Sequence, residues 1–383
     1  MEKNQSSLQI CSRCVLPSSF PRISFDSKGV CSVCRGYDKS WGDWNSKKNL
    51  KSKVLERICD DAKNKHKEFD ALVPLSGGKD STYVLYVAKK KLGLNCLAYT
   101  LDSGYLSQPA KNNIEKTCSR LGIEHLYYCL DPDLTNRLFK LFIKKTGWFC
   151  SVCMRAIQMS TFRIADMYKI PLIIKGSSMR TEMPLSREMF QGGDPAHFQA
   201  VLEGEPIAHE CGRLCERGAG FQRRLGYMMF LLSGQKRLRS YAYFNLAGYV
   251  DWDYRTIQET IQKEVAWTAP DESEHMDCLI HPIQKYIHNR RFPTLKMNRL
   301  TYARQTMAGL MTRQEALQKL EQEENDSCPE NVMNMFLGNI DMTRQEFDDY
   351  IDLGPRHLQY HPAPDLSLRL AKKVFPIQDA GTY

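Results

Sequence analysis

Residues 75–82 read LSGGKDST and follow the apolar stretch FDALVP. Glycines, a lysine, an aspartate and small hydroxyls crowded into one short stretch are the residue types of a phosphate site. Gly77 and Gly78 lack a Cβ and let the backbone close on an anion. A helix beginning around Asp80, Ser81 and Thr82 points the free N–H groups of its first turn at the same place. The spacing matches neither GxxxxGK[ST] nor GxGxxG, so the loop is a phosphate cradle of another kind.

Cysteines form a second chemical set. Cys11, Cys14, Cys31 and Cys34 make CxxC, sixteen intervening residues and CxxC again. Two such knuckles can close a tetrahedron of four thiolates around zinc, and four protein ligands leave no open position, so the ion is structural. The intervening RISFDSKGV alternates and then turns at SKG, the build of a zinc ribbon or a rubredoxin-like knuckle. Cys150 and Cys153 form another CxxC, and Cys278 lies far downstream in HMDCLIHPI. Cys211 and Cys215 beside His209 make a looser set that could take a metal.

The elements that must hold these groups alternate. Positions 69–75 read as a strand, followed by the loop and a helix with Val84, Leu85 and Val87 on its buried side. NCLAYTLDSG at 95–104 is a second strand, AKNNIEKTCSRLG a helix, EHLYYCL a third strand, 133–169 helical, and IPLIIKGSS a fourth strand ending at Gly176. Strand–helix alternation predicts an α/β fold, a doubly wound parallel sheet covered on both faces. Ligands in such sheets bind beyond the carboxyl ends of the strands. Leu75, Thr100 to Gly104 and Gly176 to Ser178 all sit there, which predicts phosphates over 76–82 with Gly176 lining the far side.

SGGxDS resembles the PP-loop of the ATP pyrophosphatase superfamily, the adenine-nucleotide alpha hydrolases. The resemblance implies ATP with Mg2+, adenylation of a carbonyl or carboxyl oxygen, and release of pyrophosphate. It assigns the phosphates to Ser76, Gly77, Gly78, Asp80, Ser81 and Thr82, with Asp80 and Ser81 needed for ATP cleavage, and it implies adenine and ribose near 73–75 and 100–102, Leu75 and Thr100 among them. Over about residues 9–320 the chain further resembles the bacterial N-acetyl sugar amidotransferases of O-antigen and pseudaminic-acid biosynthesis. The shared features are a knuckle like CSRCVLPSSFPRISFDSKGVCSVCRGYDK, the stretch VPLSGGKDSTY, GYVDWDY…VAWTAPDESEHMDCLIHPI, and AGLMTRQEAL at 308–317. That likeness implies adenylation of the acetamido oxygen of an N-acetyl sugar or nucleotide-sugar, then displacement by ammonia from a separate glutaminase.

Cys150 and Cys153 depart from that family pattern, and three readings stand. With Cys278 they resemble the three-cysteine [4Fe–4S] site of PP-loop tRNA thiolases, which would make sulfide the nucleophile and tRNA a partner. They could be a redox or persulfide pair, or apolar residues at the start of a helix. A zinc-stabilised module that binds ATP without turning it over is a further alternative.

Bulk composition sets the frame. A chain of 383 residues with 42% hydrophobic residues can build two or three packed units. No apolar run reaches the ~18 residues of a transmembrane helix; GYMMFLLSG at 226–234 is too short, and the polar MEKNQSSLQI is not a signal peptide. A cytoplasmic protein without membrane contact is expected, its fourteen cysteines reduced or metal-bound. From 285 to 313 there are seven Lys/Arg and no Asp/Glu, in a chain of net charge +9. That run reads either as a site for a phosphorylated partner or as a solvated face. Arg213, Arg217, Arg223 and Arg224 could likewise meet phosphates or solvent. The expected organisation is a zinc ribbon at 1–40, a helical connector at 41–68, the ATP core at 69–180, a lid and substrate region at 181–320, and a helical segment with an extended tail at 321–383.

Overall fold

The computed structural model describes residues 8–65, 67–183, 185–186, 189–190, 192–215, 242–269, 277–322 and 328–352, without the side chains of 213, 215 and 242. Strand-forming residues pair into one sheet: β1 (Ala71–Pro74), β2 (Cys96–Asp102), β3 (Glu124–Cys129), β4 (Leu172–Lys175) and β5 (Ala242–Asn245). All pairs are parallel, in the order β3-β2-β1-β4-β5. Ala71 sits between Cys96 and Leu172, so β1 is central and strand order reverses beside it. Ligands settle at such a reversal, and the LSGGKDST loop leaves β1 there.

Side chains of a strand alternate between faces. Ala71 and Val73 join one core with Val84, Leu85, Ile114, Ile257 and Ile261. Leu72 joins the other with Leu97, Tyr99, Ile164 and Ile173. The first face is covered by helices Lys79–Tyr86, Gln108–Leu121 and Tyr254–Val265, and the second by Cys150–Met167. The sequence-predicted doubly wound sheet is present, with two refinements. The helical region 133–169 is two helices, Pro132–Thr146 and Cys150–Met167, separated at Gly147, whose φ of +74° ends the first. β5 had no sequence signal strong enough to separate it from the surrounding polar stretch.

Downstream, helices His281–Arg291, Met297–Met307, Arg313–Gln322, Glu330–Asn339 and Arg344–Asp352 build a helical region. Thr312 and Glu315, spaced as a capping box, open the helix Arg313–Gln322: the Glu315 carboxylate accepts from Thr312 N (2.7 Å), and Thr312 Oγ1 from Glu315 N (3.1 Å). The basic run turns out to hold the fold together. Arg290 pairs with Asp348 and Asp352. Arg291 donates to Thr146 O, Arg299 to Val15 O, Arg304 to Glu182 O, and Arg313 to both Cys11 O and Cys14 O. Main-chain carbonyls left over at helix ends and knuckles need donors, and a long arginine reaches them. The stretch 226–234, Arg217, Arg223, Arg224, the Arg213 side chain and the proline-rich tail lie outside the described residues. No helix among the described residues is long and apolar enough to cross a membrane.

Candidate nucleotide site and thiol clusters

The loop after β1 is braced from within. Ser81 Oγ accepts from Ser76 N (3.1 Å), lies 3.1 Å from Ser76 Oγ and donates to Gly78 O (3.1 Å). Ser76 Oγ in turn accepts from Gly78 N (3.3 Å). Ser76 and Ser81 thus fix the curvature of the loop. Gly77 adopts φ +82°, and a Cβ there would lie 2.5 Å from Ala110 O, so only glycine fits between the loop and the helix Gln108–Leu121. Its carbonyl accepts from Trp267 Nε1 (2.9 Å) and Asn113 Nδ2 (3.4 Å). Gly176, just past β4, lets that strand end approach Asp80, whose carbonyl would be 3.1 Å from a Cβ.

Leu75 follows β1, and Thr100 lies in β2. Both are buried, and Thr100 Oγ1 donates to Leu75 O (2.6 Å) while sitting 2.7 Å from His125 Nε2. Burial pushes His125 down to about 4, so the ring is neutral at pH 7. The Thr100 hydroxyl therefore ties β1 to β2 and β3. Thr82 is wholly buried, and its Oγ1 has no hydrogen-bond partner.

Charged groups gather at the same strand ends. Lys79 Nζ is 3.7 Å from the Asp80 carboxylate and 4.4 Å from the Tyr254 ring centroid. Lys175, at the end of β4, donates to Tyr243 OH (2.9 Å). Asp277 faces Gly78, its Oδ2 3.7 Å from where a Cβ would stand. Sequence reasoning missed Trp267, Asn113, Asp277 and Lys175, because each comes from a segment remote in the chain and belongs to no local motif. Because Ser81 braces the loop and Asp80 stands in the first turn of the helix that follows it, Ser81→Ala and Asp80→Asn should each lower pyrophosphate release at least about tenfold, roughly 1.4 kcal/mol of barrier. Steady-state pyrophosphate assays check this, and normal turnover in both variants would refute it.

The four N-terminal cysteines converge. Their sulfur atoms all lie within 4.8 Å of one another, and all four residues are buried. Cys11 Sγ–Cys34 Sγ and Cys14 Sγ–Cys31 Sγ are each 3.9 Å, close to the ~3.8 Å edge of a tetrahedron with ~2.3 Å Zn–S bonds. Main-chain N–H groups already point at the sulfurs, from Cys14 and Cys31 to Cys11 Sγ (3.4 and 3.3 Å) and from Cys34 to Cys31 Sγ (3.3 Å). Such bonds stabilise thiolate charge and orient the ligands. The donor set thus fits zinc. Between the knuckles the alternating RISFDSKGV contributes an isolated Phe25–Cys31 bridge and the expected turn, at Gly29, and the second knuckle opens the helix Ser32–Trp41.

Cys150 and Cys153 open the helix Cys150–Met167, and Cys278 bridges to Leu106 at the end of the β2 loop. The three thiols are near enough to act on one another. Burial first, then the neighbouring thiols, pushes Cys150 well up and Cys153 to about 12; burial pushes Cys278 to about 11. A helix N-terminus favours thiolates, but here desolvation wins. Among the described residues only the N-terminal four form a set tight enough for a single ion. Cys211 is buried in the core of the helical region, and the Cys215 side chain lies outside the described residues.

Residues 254–373 match the family described as LPS biosynthesis protein WbpG-like, C-terminal domain. An uncharacterized protein of Methanocaldococcus jannaschii is 27% identical over 183 residues, covering 48% of this chain and 64% of that protein, less than two thirds of its length. Among solved structures, NMN synthetase from Francisella tularensis aligns with TM-score 0.33 and 14% identity over 82% of this chain and 98% of that one. The NH3-dependent NAD synthetase from Campylobacter jejuni aligns with TM-score 0.28 and 15% identity over 58% and 99%.

Proposed function

We propose that this chain is an ATP-dependent amidotransferase of lipopolysaccharide biosynthesis, converting the acetamido group of an N-acetyl sugar or nucleotide-sugar into an acetamidino group. The observation that carries the reading is a contact. Trp267, within the segment that matches the WbpG-like domain, donates to the carbonyl of Gly77 in the SGGKDST loop. The segment that matches the lipopolysaccharide-biosynthesis family therefore packs on the SGGKDST loop.

In this reading the substrate is ATP with its Mg2+. The loop N–H groups and Lys79 hold the phosphates, where they oppose charge growing on the leaving pyrophosphate. The sugar's amide oxygen attacks the α-phosphorus and pyrophosphate leaves. Ammonia, supplied by a separate glutaminase, then adds to the activated carbon, and AMP departs with the former amide oxygen. Incubation with ATP, a panel of nucleotide-activated N-acetyl sugars and ammonium tests this. Sugar-dependent AMP and pyrophosphate, with a product in which NH replaces O by mass, is expected; sugar-independent turnover or none overturns it.

A second reading, sulfur transfer, rests on the mutual proximity of Cys150, Cys153 and Cys278, and on Asp277 facing Gly78. Three thiolates would hold a [4Fe–4S] cluster, which supplies an iron open to sulfide. Anaerobically purified protein containing about four irons and matching sulfide per chain would favour it over amidation. The expected result is zinc alone, bound at Cys11, Cys14, Cys31 and Cys34.

A further inference from the structure

The Gly77–Gly78 peptide is the point of the LSGGKDST loop that the sequence leaves free to turn over. A glycine on each side tolerates both orientations of the peptide plane at little cost. One orientation presents an N–H to the start of the helix Lys79–Tyr86, and the other presents a carbonyl oxygen. Two buried side chains decide between them. Trp267 Nε1 donates to Gly77 O (2.9 Å), and Asn113 Nδ2 donates to the same oxygen at 3.4 Å. The peptide is trans, so its N–H points the opposite way. Gly78 N accordingly faces Ser76 Oγ (3.3 Å), which lies 3.1 Å from Ser81 Oγ in the first turn of that helix. Trp267 is itself held. The helix Tyr254–Val265 ends at Ala266, whose φ of +53° turns the chain back, and Trp267 N donates to Ile261 O (3.2 Å). The indole then shares a core with Val84, Leu85 and Ile114. Asn113 grips the next residue with both ends of its amide: Oδ1 accepts from Thr268 N (2.9 Å), and Nδ2 donates to Thr268 O (3.0 Å).

We infer that Trp267 and Asn113 are positioning residues for phosphate binding: they hold the Gly77 carbonyl away from the helix start, so that the Gly78 N–H is presented to the phosphates of ATP. The inference rests on the reading of this loop as an ATP phosphate site, and not on the identity of the acceptor. Asn113 fixes the main chain at Thr268, that segment fixes the indole, and the indole fixes the peptide. An N–H aimed in advance at an anion needs no rearrangement on binding. A peptide turned over would instead set a carbonyl oxygen against the phosphates, a repulsion between negative charges. The present contact with Ser76 Oγ is longer than the ~3.2 Å limit of a good N–H···O bond, so a charged phosphate oxygen displaces it readily.

Trp267→Phe keeps an aromatic ring in the core and deletes the donor. Calorimetry on the full chain should find its affinity for Mg-ATP about tenfold weaker than that of the wild type. Its affinity for adenosine, which carries no phosphate, should stay within about twofold. Asn113→Ala, which releases Thr268 and leaves the indole intact, should show the same ATP-selective loss. Lys116 is exposed and donates to the Thr268 side chain rather than to its main chain (3.2 Å), so Lys116→Ala should leave both affinities unchanged. Equal weakening of ATP and adenosine is what a merely loosened fold would give, and it overturns the inference. Unchanged ATP affinity in Trp267→Phe overturns it as well. A wild type that binds ATP no more tightly than adenosine refutes the phosphate site itself, and the inference with it.

Discussion

Gly77→Ala should lower ATP-dependent pyrophosphate release by at least about 100-fold, roughly 2.7 kcal/mol, while leaving the protein folded. Two separate penalties act at this residue. Its φ of +82° is a conformation that costs a side-chain-bearing residue on the order of 1–3 kcal/mol. A new Cβ would also sit 2.5 Å from Ala110 O and 2.9 Å from Ala110 Cα, main-chain atoms of a helix that cannot step aside. The loop must move instead, carrying with it the Gly77 carbonyl that Trp267 and Asn113 hold. Gly78→Ala provides the contrast: its Cβ would meet Ser76 Oγ at 3.3 Å and Asp277 Oδ2 at 3.7 Å, both side-chain atoms, with no positive φ. That variant should lose only a few-fold in rate. Comparable activity for Gly77→Ala and the wild type would refute the assignment of this loop to the phosphates.

The second large effect is expected at the four-cysteine cluster. Cys31→Ser should remove one zinc per chain and unfold the knuckles. The substitution is selective, because Cys31 is also the N-cap of Ser32–Trp41, accepting from Cys34 N, and serine caps a helix well. What serine lacks is a thiolate. Structural zinc contributes on the order of 10 kcal/mol of binding energy that is folding energy, comparable with the ~5–15 kcal/mol that holds an ordinary domain folded. The loss should travel. Cys11, Cys14, Cys31 and Cys34 share a core with Leu295, Leu300, Ala303, Met307 and Ala316, and Arg313 is bonded to the carbonyls of Cys11 and Cys14. Hydrogen exchange should therefore rise both in 9–41 and in the helices Met297–Met307 and Arg313–Gln322, with zinc content falling in parallel. Full zinc occupancy and unchanged exchange in Cys31→Ser would refute the site.

Features whose physics is local were legible in the chain itself. A strand, a glycine turn and a helix start lie within a few residues of one another in LSGGKDST, and their residue types specify each. CxxC twice over encodes a tetrahedral cage because each pair spans a single turn. The Thr312–Glu315 box and the buried stripe Ile257, Ile261 and Val265 follow from helical spacing, and both are present. Tertiary structure decided the rest. A periodic pattern says which face of an element is buried, not which surface covers it. Hence nothing in the sequence tied Trp267 to Gly77, 190 residues away. Nor did it bring Cys278 to the apolar core that Cys150 and Cys153 also pack against. The basic run at 285–313 shows the same limit. Charge alone left open a site for a phosphorylated partner or a solvated face, and did not show that arginines there reach carbonyls of the knuckles and the β4 loop. A buried carbonyl takes whichever donor folding brings within reach, and that choice depends on how distant segments pack.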